Sequence, residues 1–408
     1  MVQTALALTA LIFCAWEGIV CIRRLAFEKP QLPGAAPDFN ERLSILGLSF
    51  IVALVYMGLT VFAAKLELPG AGTEQALKAF LEKNIDARHY RDLAQFGYGR
   101  GEGFYEQELM IVFFPLWPLI WKLAALNGLL PWYTVGMIIQ LPMICIAAVM
   151  IYELVYRQHG KSAAGWALAF LALSPGGVFC ALPMTESLFL LLTAGFFLSL
   201  QREKMLSAAV FGLLAALTRS PGALLSGAAL MYMVQHRRCP SCRSWLPVAA
   251  PAAGLCAYLG LNKAVYGNWT QFSLVQKQHW NQGLGFFPET VRYELDYCLG
   301  YLGQGNWKMG IFLFGAGFLT VLLVFVALAP GVKKLPAHQL AYSLAYCAFT
   351  MGASWLLSAP RYAMVLFFLP ASLAAGLEND KIRRCILSVL FPLALVYTFA
   401  FLRHWSIY

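Results

Sequence analysis

Long apolar runs, joined by short polar connections, alternate along the whole chain. A helix that crosses a bilayer needs roughly 20 apolar residues, and fewer where it is short and packed among other helices. On this criterion the pattern predicts about twelve spans, near residues 2–22, 43–64, 131–155, 162–176, 186–200, 205–219, 221–235, 245–264, 309–330, 338–357, 361–377 and 384–402. The sequence therefore predicts an all-α, multi-pass membrane protein, with 1–408 as a single integral membrane domain.

The connections between the predicted spans differ in charge. When they are assigned alternately to the two sides, six basic groups fall on one side, which the positive-inside rule makes cytoplasmic. These groups are Arg23/Arg24, Arg157/Lys161, Arg202/Lys204, Arg237/Arg238/Arg243, Lys333/Lys334 and Lys381/Arg383/Arg384. Two long loops, 65–130 and 265–308, then both lie on the outer face, where we expect them to carry short amphipathic or re-entrant helices.

Composition supports the membrane assignment. The chain of 408 residues is 60% hydrophobic and 12% charged, so it has too little polar surface for a water-soluble fold of this length. The formal net charge of +10 lies mostly in the cytoplasmic connections, which explains it as topology and argues against a nucleic-acid partner. The Cys239/Cys242 pair has no second pair with which to complete a metal site, so we expect no metal.

The first outer loop contains a helical pattern at 84–98. Asp86, His89 and Tyr90 fall on one face of this helix, together with Leu93, Ala94 and Gly97. With Asn84 as the N-cap, Asp86 would lie in the first turn, where the helix dipole favours the ionised carboxylate. An ionised Asp with His and Tyr one turn away suits a general base that takes a proton from a hydroxyl. First-turn acidic residues also commonly do no more than stabilise a helix.

An apolar run at 111–126 follows in the same loop, and it is short for a span. It contains Pro115 and Pro118, which interrupt helices. Irregular backbone at membrane depth is tolerated only where protein or a water-filled cavity covers it. We therefore expect this run to be re-entrant or interfacial and to line a site on the outer side.

Five further segments, taken with 86–98, resemble the signature of the PIG-V family of mannosyltransferases, which are GT-C membrane glycosyltransferases. They occur in the family's order over about residues 80–370. They are Phe-Phe-Pro-Leu-Trp-Pro-Leu at 113–119, Thr-Glu-Ser-Leu-Phe at 185–189, Leu-Thr-Arg-Ser-Pro-Gly at 217–222, Gln-His-Trp at 278–280 and Ser-Ala-Pro-Arg-Tyr at 358–362. The chain departs from the pattern at Ile85, where the family has Trp. The motifs therefore do not determine which sugar is transferred. Residues 1–42 resemble an added span and cytoplasmic loop ahead of the shared core.

The resemblance implies a GT-C fold and a reaction. Asp86 would be the base that activates an acceptor hydroxyl, and the donor would be a hexose, mannose by resemblance, on a polyprenyl or dolichyl phosphate. The transfer would invert the anomeric carbon and need no cofactor besides this lipid-linked donor. The implied partners are membrane lipids, the polyprenyl- or dolichyl-phosphate sugar, and a glycan or glycolipid acceptor.

Negative charge collects on the departing lipid phosphate in such a reaction, so a cation must stabilise it. Arg361 is the first choice, Arg219 the second, and Lys277 with His279 the third; for each, the alternative interpretation is contact with lipid headgroups. Glu186 would orient the acceptor or serve as a helix N-terminal charge. The resemblance adds further substrate-binding candidates, namely His89, Tyr90, Gln278, Trp280 and Tyr362.

Two rival functions stay open at this point. A polytopic transporter or flippase of a lipid-linked sugar would also have Pro- and Gly-broken spans and a buried Arg. A non-catalytic subunit of a transferase would make Asp86 dispensable. We expect a bacterial plasma membrane, or the ER membrane if the chain is eukaryotic.

Overall fold

The computed structural model describes residues 2–28, 33–83, 85–99, 109–236, 241–405 and 407. These residues form α-helices joined by short 3₁₀ turns, with one π-helical segment, Met309–Gly315, and one isolated β-bridge between Leu284 and Ala353. The helices are α1 (Val2–Phe27), α2 (Phe39–Glu67), α3 (Thr73–Leu81), α4 (Ala87–Phe96), α5 (Leu116–Ala124), α6 (Trp132–Ile138), α7 (Gln140–Ala172), α8 (Glu186–Gln201), α9 (Met205–Ala216), α10 (Leu225–His236), α11 (Cys242–Tyr266), α12 (Gln271–His279), α13 (Phe287–Gly303), α14 (Ala316–Leu328), α15 (Ala337–Met351), α16 (Ala359–Met364), α17 (Phe368–Gly376) and α18 (Asp380–Leu402). The predicted all-α class is confirmed.

Helices occur at every predicted span, but fewer of them than predicted are long and apolar enough to cross a membrane. In the described part of the chain six qualify, and up to seven if a pair bent by 97° counts as one span. The six are Gln3–Phe27, Phe39–Glu67, Trp132–Ala172, Cys242–Tyr266, Met309–Gly331 and Asp380–Leu402, and the bent pair is Pro175–Ala181 with Glu186–Gln201. The chain is thus a multi-pass membrane protein, in which the remaining predicted spans form shorter helices.

Local breaks divide the predicted spans into helices of different lengths. Gly160, with φ of 82°, interrupts the long α7, so that the spans predicted at 131–155 and 162–176 meet there. A positive φ of this kind is open to glycine at little cost. The segments predicted at 205–219, 221–235, 338–357 and 361–377 form helices α9, α10, α15, and α16 with α17, all shorter than 18 residues.

Small residues allow close helix packing in the middle of the bundle. A Cβ on Gly212 of α9 would lie 2.7 Å from Pro251 Cγ of α11, and one on Gly254 of α11 would lie 2.6 Å from the Leu213 carbonyl oxygen. Glycines at these positions let the two helix backbones approach, as small residues commonly do in membranes.

Glu17 of α1 is fully buried, and its carboxylate oxygens have no hydrogen-bond partner among the described residues.

The basic connections gather at one end of the bundle. Arg42, Arg157 and Arg202 all contact the buried Glu153, at N–O distances of 3.3, 2.7 and 2.5 Å. Arg383 of α18 donates to Ser162 Oγ of α7 at 3.0 Å. Contacts of this kind place separate predicted cytoplasmic connections on one face, as the charge pattern requires. Arg237, Arg238 and Cys239 lie outside the described residues.

Candidate active site

Asp86 lies directly before α4, one position outside the predicted first turn. The helix begins at Ala87, and the Asp86 side chain makes no capping hydrogen bond; its carbonyl oxygen accepts from Tyr90 N at 3.0 Å. The predicted cap, Asn84, lies outside the described residues. The Asp86 carboxylate is therefore not used to satisfy helix N–H groups and can serve other partners.

The predicted inner face of α4 is confirmed. Tyr90 is 6% exposed, and Leu93 and Ala94 are buried with it; the helix ends before Gly97, whose φ is 72°. His89 stacks on Phe113 with ring centroids 5.2 Å apart, and Tyr90 meets the same ring edge-on at 5.0 Å. The segments at 86–98 and 113–119 are thus packed together through Phe113.

The run at 111–126 does not cross the membrane as a continuous helix. It forms a 3₁₀ turn, Met110–Val112, and the nine-residue α5, in which Trp117 and Trp121 are fully buried. Ile85, in place of the family's Trp, is 9% exposed and belongs to the hydrophobic core. The first outer loop is therefore anchored by buried aromatic side chains beside Asp86.

Glu186 stands at the bend between the turn Pro175–Ala181 and α8. It is fully buried as the first residue of α8. Two side chains hold the backbone just before it: Trp117 Nε1 donates to the Pro183 carbonyl at 3.2 Å, and Gln140 Nε2 to the Met184 carbonyl at 3.1 Å. Gln140 was missed in the sequence, although a buried glutamine inside a predicted span is a signal of such a role.

Arg361 connects Asp86 with Glu186. Its NH1 donates to Asp86 Oδ2 at 2.7 Å, and its Nε donates to Glu186 Oε1. The guanidinium carbon also lies 5.7 Å from the ring centre of Phe179. Helix α16, which contains Arg361, packs closely against the turn Pro175–Ala181, since a Cβ on Gly176 would lie 2.8 Å from the Pro360 carbonyl oxygen.

Arg219 completes the charged cluster. Its NH1 lies 3.1 Å from Glu186 Oε1, the oxygen that Arg361 also contacts. Its guanidinium lies over the rings of Tyr362 and Phe189, at 5.2 and 5.8 Å. We call Asp86, Glu186, Arg219 and Arg361 the charged cluster; the segments that contain them are widely separated in sequence and meet only in the fold.

The formal charges of the charged cluster cancel. Asp86 is its accessible member, with 37% of its side chain exposed, whereas those of Arg219, Arg361 and Glu186 are 11, 4 and 0% exposed. Burial raises the pKa of Asp86, but the charge and hydrogen bond of Arg361 outweigh this and hold the pKa below its ordinary value. Asp86 is therefore ionised at neutral pH, and its side chain is partly exposed, so that an incoming hydroxyl can reach it.

The second outer loop supplies no described contact to the charged cluster. Lys277 and Gln278 are exposed on α12, and neither has a contact with the cluster among the described residues. Trp280 packs instead in a small apolar group with Ile111, Tyr266 and Val275, and His279 lies beside Trp280 with ring centroids 6.3 Å apart. The structure thus places Trp280 next to the first outer loop without bringing it to Asp86.

The chemistry of the charged cluster is that of proton acceptance and anion binding. In the described ranges no three His, Cys, Asp or Glu residues are grouped as a metal site would require. The carboxylates of Asp86 and Glu186 face guanidinium groups instead. Such a cluster offers one accessible carboxylate beside two arginines, the residue type suited to binding two oxygens of a phosphate.

Comparisons with known proteins add structural likenesses only. No family model matches the chain, and no curated protein matches it in sequence. ArnT from Cupriavidus metallidurans bound to undecaprenyl phosphate is similar over 91% of this chain and 76% of its own, with a TM-score of 0.49 and 12% identity. The Archaeoglobus fulgidus oligosaccharyltransferase tethered with an acceptor peptide is similar over 91% of this chain and 56% of its own, with a TM-score of 0.43 and 11% identity. Both scores are too low to support an argument, so the resemblance to PIG-V rests on its motifs.

Proposed function

We propose that this chain is a membrane glycosyltransferase of the GT-C type that moves a hexose from a polyprenyl phosphate to an acceptor hydroxyl. The observation that carries the proposal is the meeting of Asp86 with Arg361 across 275 positions of sequence, with Glu186 bridging Arg361 to Arg219. Four of the motif segments supply these residues, and a fifth, at 113–119, packs against Asp86's helix. Mannose is the sugar we propose, on the resemblance to PIG-V.

Each residue has a defined part in the proposed transfer. Asp86 takes the proton from the acceptor hydroxyl, whose oxygen forms the new bond to the anomeric carbon. The bond from that carbon to the phosphate oxygen breaks, and its electron pair stays on the lipid phosphate, which gains one negative charge. Attack from the side opposite the phosphate inverts the anomeric carbon. Arg361 and Arg219 stabilise the charge that develops.

An apolar cavity, lined in part by the helix that contains Arg361, is consistent with a lipid-linked donor. Its volume is about 130 Å³, and its lining includes Ala363 and Met364, two and three residues after Arg361, together with Phe170 and Leu373. Part of an isoprenoid tail would bury apolar surface there. A flippase would also bind such a lipid, but it would have no need of an ionised carboxylate held next to the phosphate-binding arginine.

The test is sugar transfer by purified protein in lipid nanodiscs. Polyprenyl phosphate mannose serves as the donor and a native membrane extract as the source of acceptor, and released polyprenyl phosphate is measured. Asp86→Asn keeps the size of the side chain but cannot take the proton, so we expect a loss of about a hundredfold to ten-thousandfold.

Asp92→Asn is the matched control. Asp92 lies on the same helix and pairs with Arg88 and Arg91, not with Arg361, so this variant should retain its rate within a few fold. If the wild type releases no polyprenyl phosphate in nanodiscs but moves the intact donor across the membrane of sealed proteoliposomes, the protein is a flippase instead. Equal activity of Asp86→Asn and the wild type would remove Asp86 as the base.

A further inference from the structure

The carboxylate of Glu186 has fewer hydrogen-bond partners than we expect for a buried carboxylate with a purely structural role. It is fully buried, and its Oε1 accepts from both Arg361 Nε and Arg219 NH1. Its Oε2 is buried with no hydrogen-bond partner in the part of the chain that the structure describes. Buried polar atoms are nearly always paired, so an unpaired carboxylate oxygen requires an explanation.

Stabilisation of α8 does not supply that explanation. Glu186 begins this helix, and a carboxylate at a helix N-terminus is favoured. That gain is small compared with the cost of removing a carboxylate from water, which close guanidinium groups can offset. Glu186 therefore depends on the arginines, and the arginines depend on Glu186.

The two arginines form one anion-binding fork because they share an oxygen. Without Glu186, two guanidinium groups this close would repel each other. Arg361 uses Nε and NH1 for Glu186 and Asp86, which leaves its NH2 for a ligand, and Arg219 uses NH1, which leaves Nε and NH2. Aromatic rings of Phe179 and Tyr362 restrict where the two guanidinium planes lie.

We propose that Glu186 is a built-in counter-anion that keeps Arg219 and Arg361 paired in the empty site and speeds release of the lipid phosphate product. The inference rests on the proposed function, since it takes the bound anion to be that phosphate. The donor is a phosphodiester with one negative charge, and the product is a monoester with up to two. Glu186 therefore repels the product more than the donor, which favours turnover over tight product binding.

Glu186→Gln tests this role because it removes the charge but keeps an acceptor for both guanidinium groups. Farnesyl phosphate, a short polyprenyl phosphate, serves as the product probe, and calorimetry in nanodiscs gives its affinity. We expect binding at least about tenfold tighter than in the wild type, from the lost repulsion at close range. Steady-state turnover should fall more than the single-turnover rate, because product release slows.

Glu153→Gln is the matched control. Glu153 is likewise buried among arginines, namely Arg42, Arg157 and Arg202, but at the other end of the bundle. Its replacement should leave the affinity for farnesyl phosphate unchanged. A merely structural role for Glu186 predicts weaker binding in Glu186→Gln, and unchanged or weaker binding overturns the proposal. An equal gain in Glu153→Gln would do the same.

A measurement on the wild type keeps the proposal falsifiable if Glu186→Gln does not fold. Farnesyl methyl phosphate carries one charge, whereas farnesyl phosphate carries about 1.5 to 2. With Glu186 as counter-anion, the wild type should prefer the monoester by no more than about threefold, and a preference of tenfold would contradict this role.

These binding measurements need no sugar transfer, so the two proposals fail separately. If the wild type binds farnesyl phosphate but transfers no sugar, only the proposed function is refuted. If the wild type transfers sugar but the affinity for farnesyl phosphate does not rise in Glu186→Gln, only the counter-anion role of Glu186 is refuted. If the wild type has no affinity for farnesyl phosphate, both proposals are refuted.

Discussion

Replacing Arg361 with lysine separates the charge of this residue from its geometry. Arg361 contacts two carboxylates at once, through NH1 to Asp86 at 2.7 Å and through Nε to Glu186. Lysine keeps one positive charge but has a single nitrogen on a flexible stem, so it cannot keep both contacts in place. We expect the lysine to stay with Glu186, which is fully buried and costs more to leave unpaired than the partly exposed Asp86.

The magnitude follows from the lost contact. A hydrogen bond to a charged group contributes about 1.5–3 kcal/mol, and each 1.36 kcal/mol corresponds to a factor of ten in rate. If Asp86 must keep its position in the transition state, Arg361→Lys should lower the single-turnover rate by about tenfold to a hundredfold. Donor affinity should change less, because the charge that attracts the phosphate remains.

The pH dependence gives a second, independent readout. Burial raises the pKa of Asp86 and Arg361 lowers it further than burial raises it, so the base stays ionised below the ordinary aspartate range. Base activity requires the ionised form and is lost as pH falls through this pKa. Loss of the Arg361 contact raises the pKa, so the acidic limb of the single-turnover rate should move to higher pH in Arg361→Lys.

Arg202→Lys provides the control, since Arg202 contacts buried Glu153 at 2.5 Å at the opposite end of the bundle. It makes the same chemical change without touching Asp86, and should keep both the rate and the pH profile. A rate within about threefold of wild type for Arg361→Lys, with an unmoved acidic limb, would refute the view that Arg361 holds the base.

Two further predictions concern topology and stability. With exposed native cysteines replaced by serine, cysteines at Gln95 and Ser273 should react with a membrane-impermeant reagent from outside intact cells and one at Lys161 should not; the reverse result would invert the orientation. Burial raises the pKa of Glu294 to about 9, so the folded protein holds a proton that the unfolded chain releases above about pH 4.5. Glu294→Gln should therefore stabilise the protein increasingly between about pH 4.5 and 9, by on the order of 3 kcal/mol at pH 7, and an equal gain at pH 4 would contradict this.

Helical class and the positions of helices follow from the sequence because apolar length and period depend on local residues alone. The buried face of α4 was predictable for the same reason, since Tyr90, Leu93 and Ala94 recur at helical spacing. The bends between helices, such as those at Gly160 and the 97° turn before Glu186, were not predictable, because tertiary packing decides the direction of the chain there.

The site could be predicted only as a set of candidates. Asp86, Arg361, Arg219 and Glu186 were among them, but so were Lys277, Gln278 and Trp280, for which the structure records no contact with the charged cluster. The difference lies in how a long outer loop packs, which hydropathy does not encode. Gln140 was missed because its hydrogen bond to the Met184 carbonyl joins segments that sequence spacing does not relate.

The structure differs most from the sequence-based prediction at Arg361, which the sequence analysis treats as a free cation that binds the lipid phosphate. In the structure it is 3% exposed and already bound to both carboxylates. A donor phosphate must therefore share Arg361 with Asp86 and Glu186. As phosphate draws on this guanidinium, its hold on Asp86 weakens, and the proton affinity of Asp86 rises. Under the proposed function, donor binding itself thus strengthens the base, so that the acceptor hydroxyl is activated when a donor is in place.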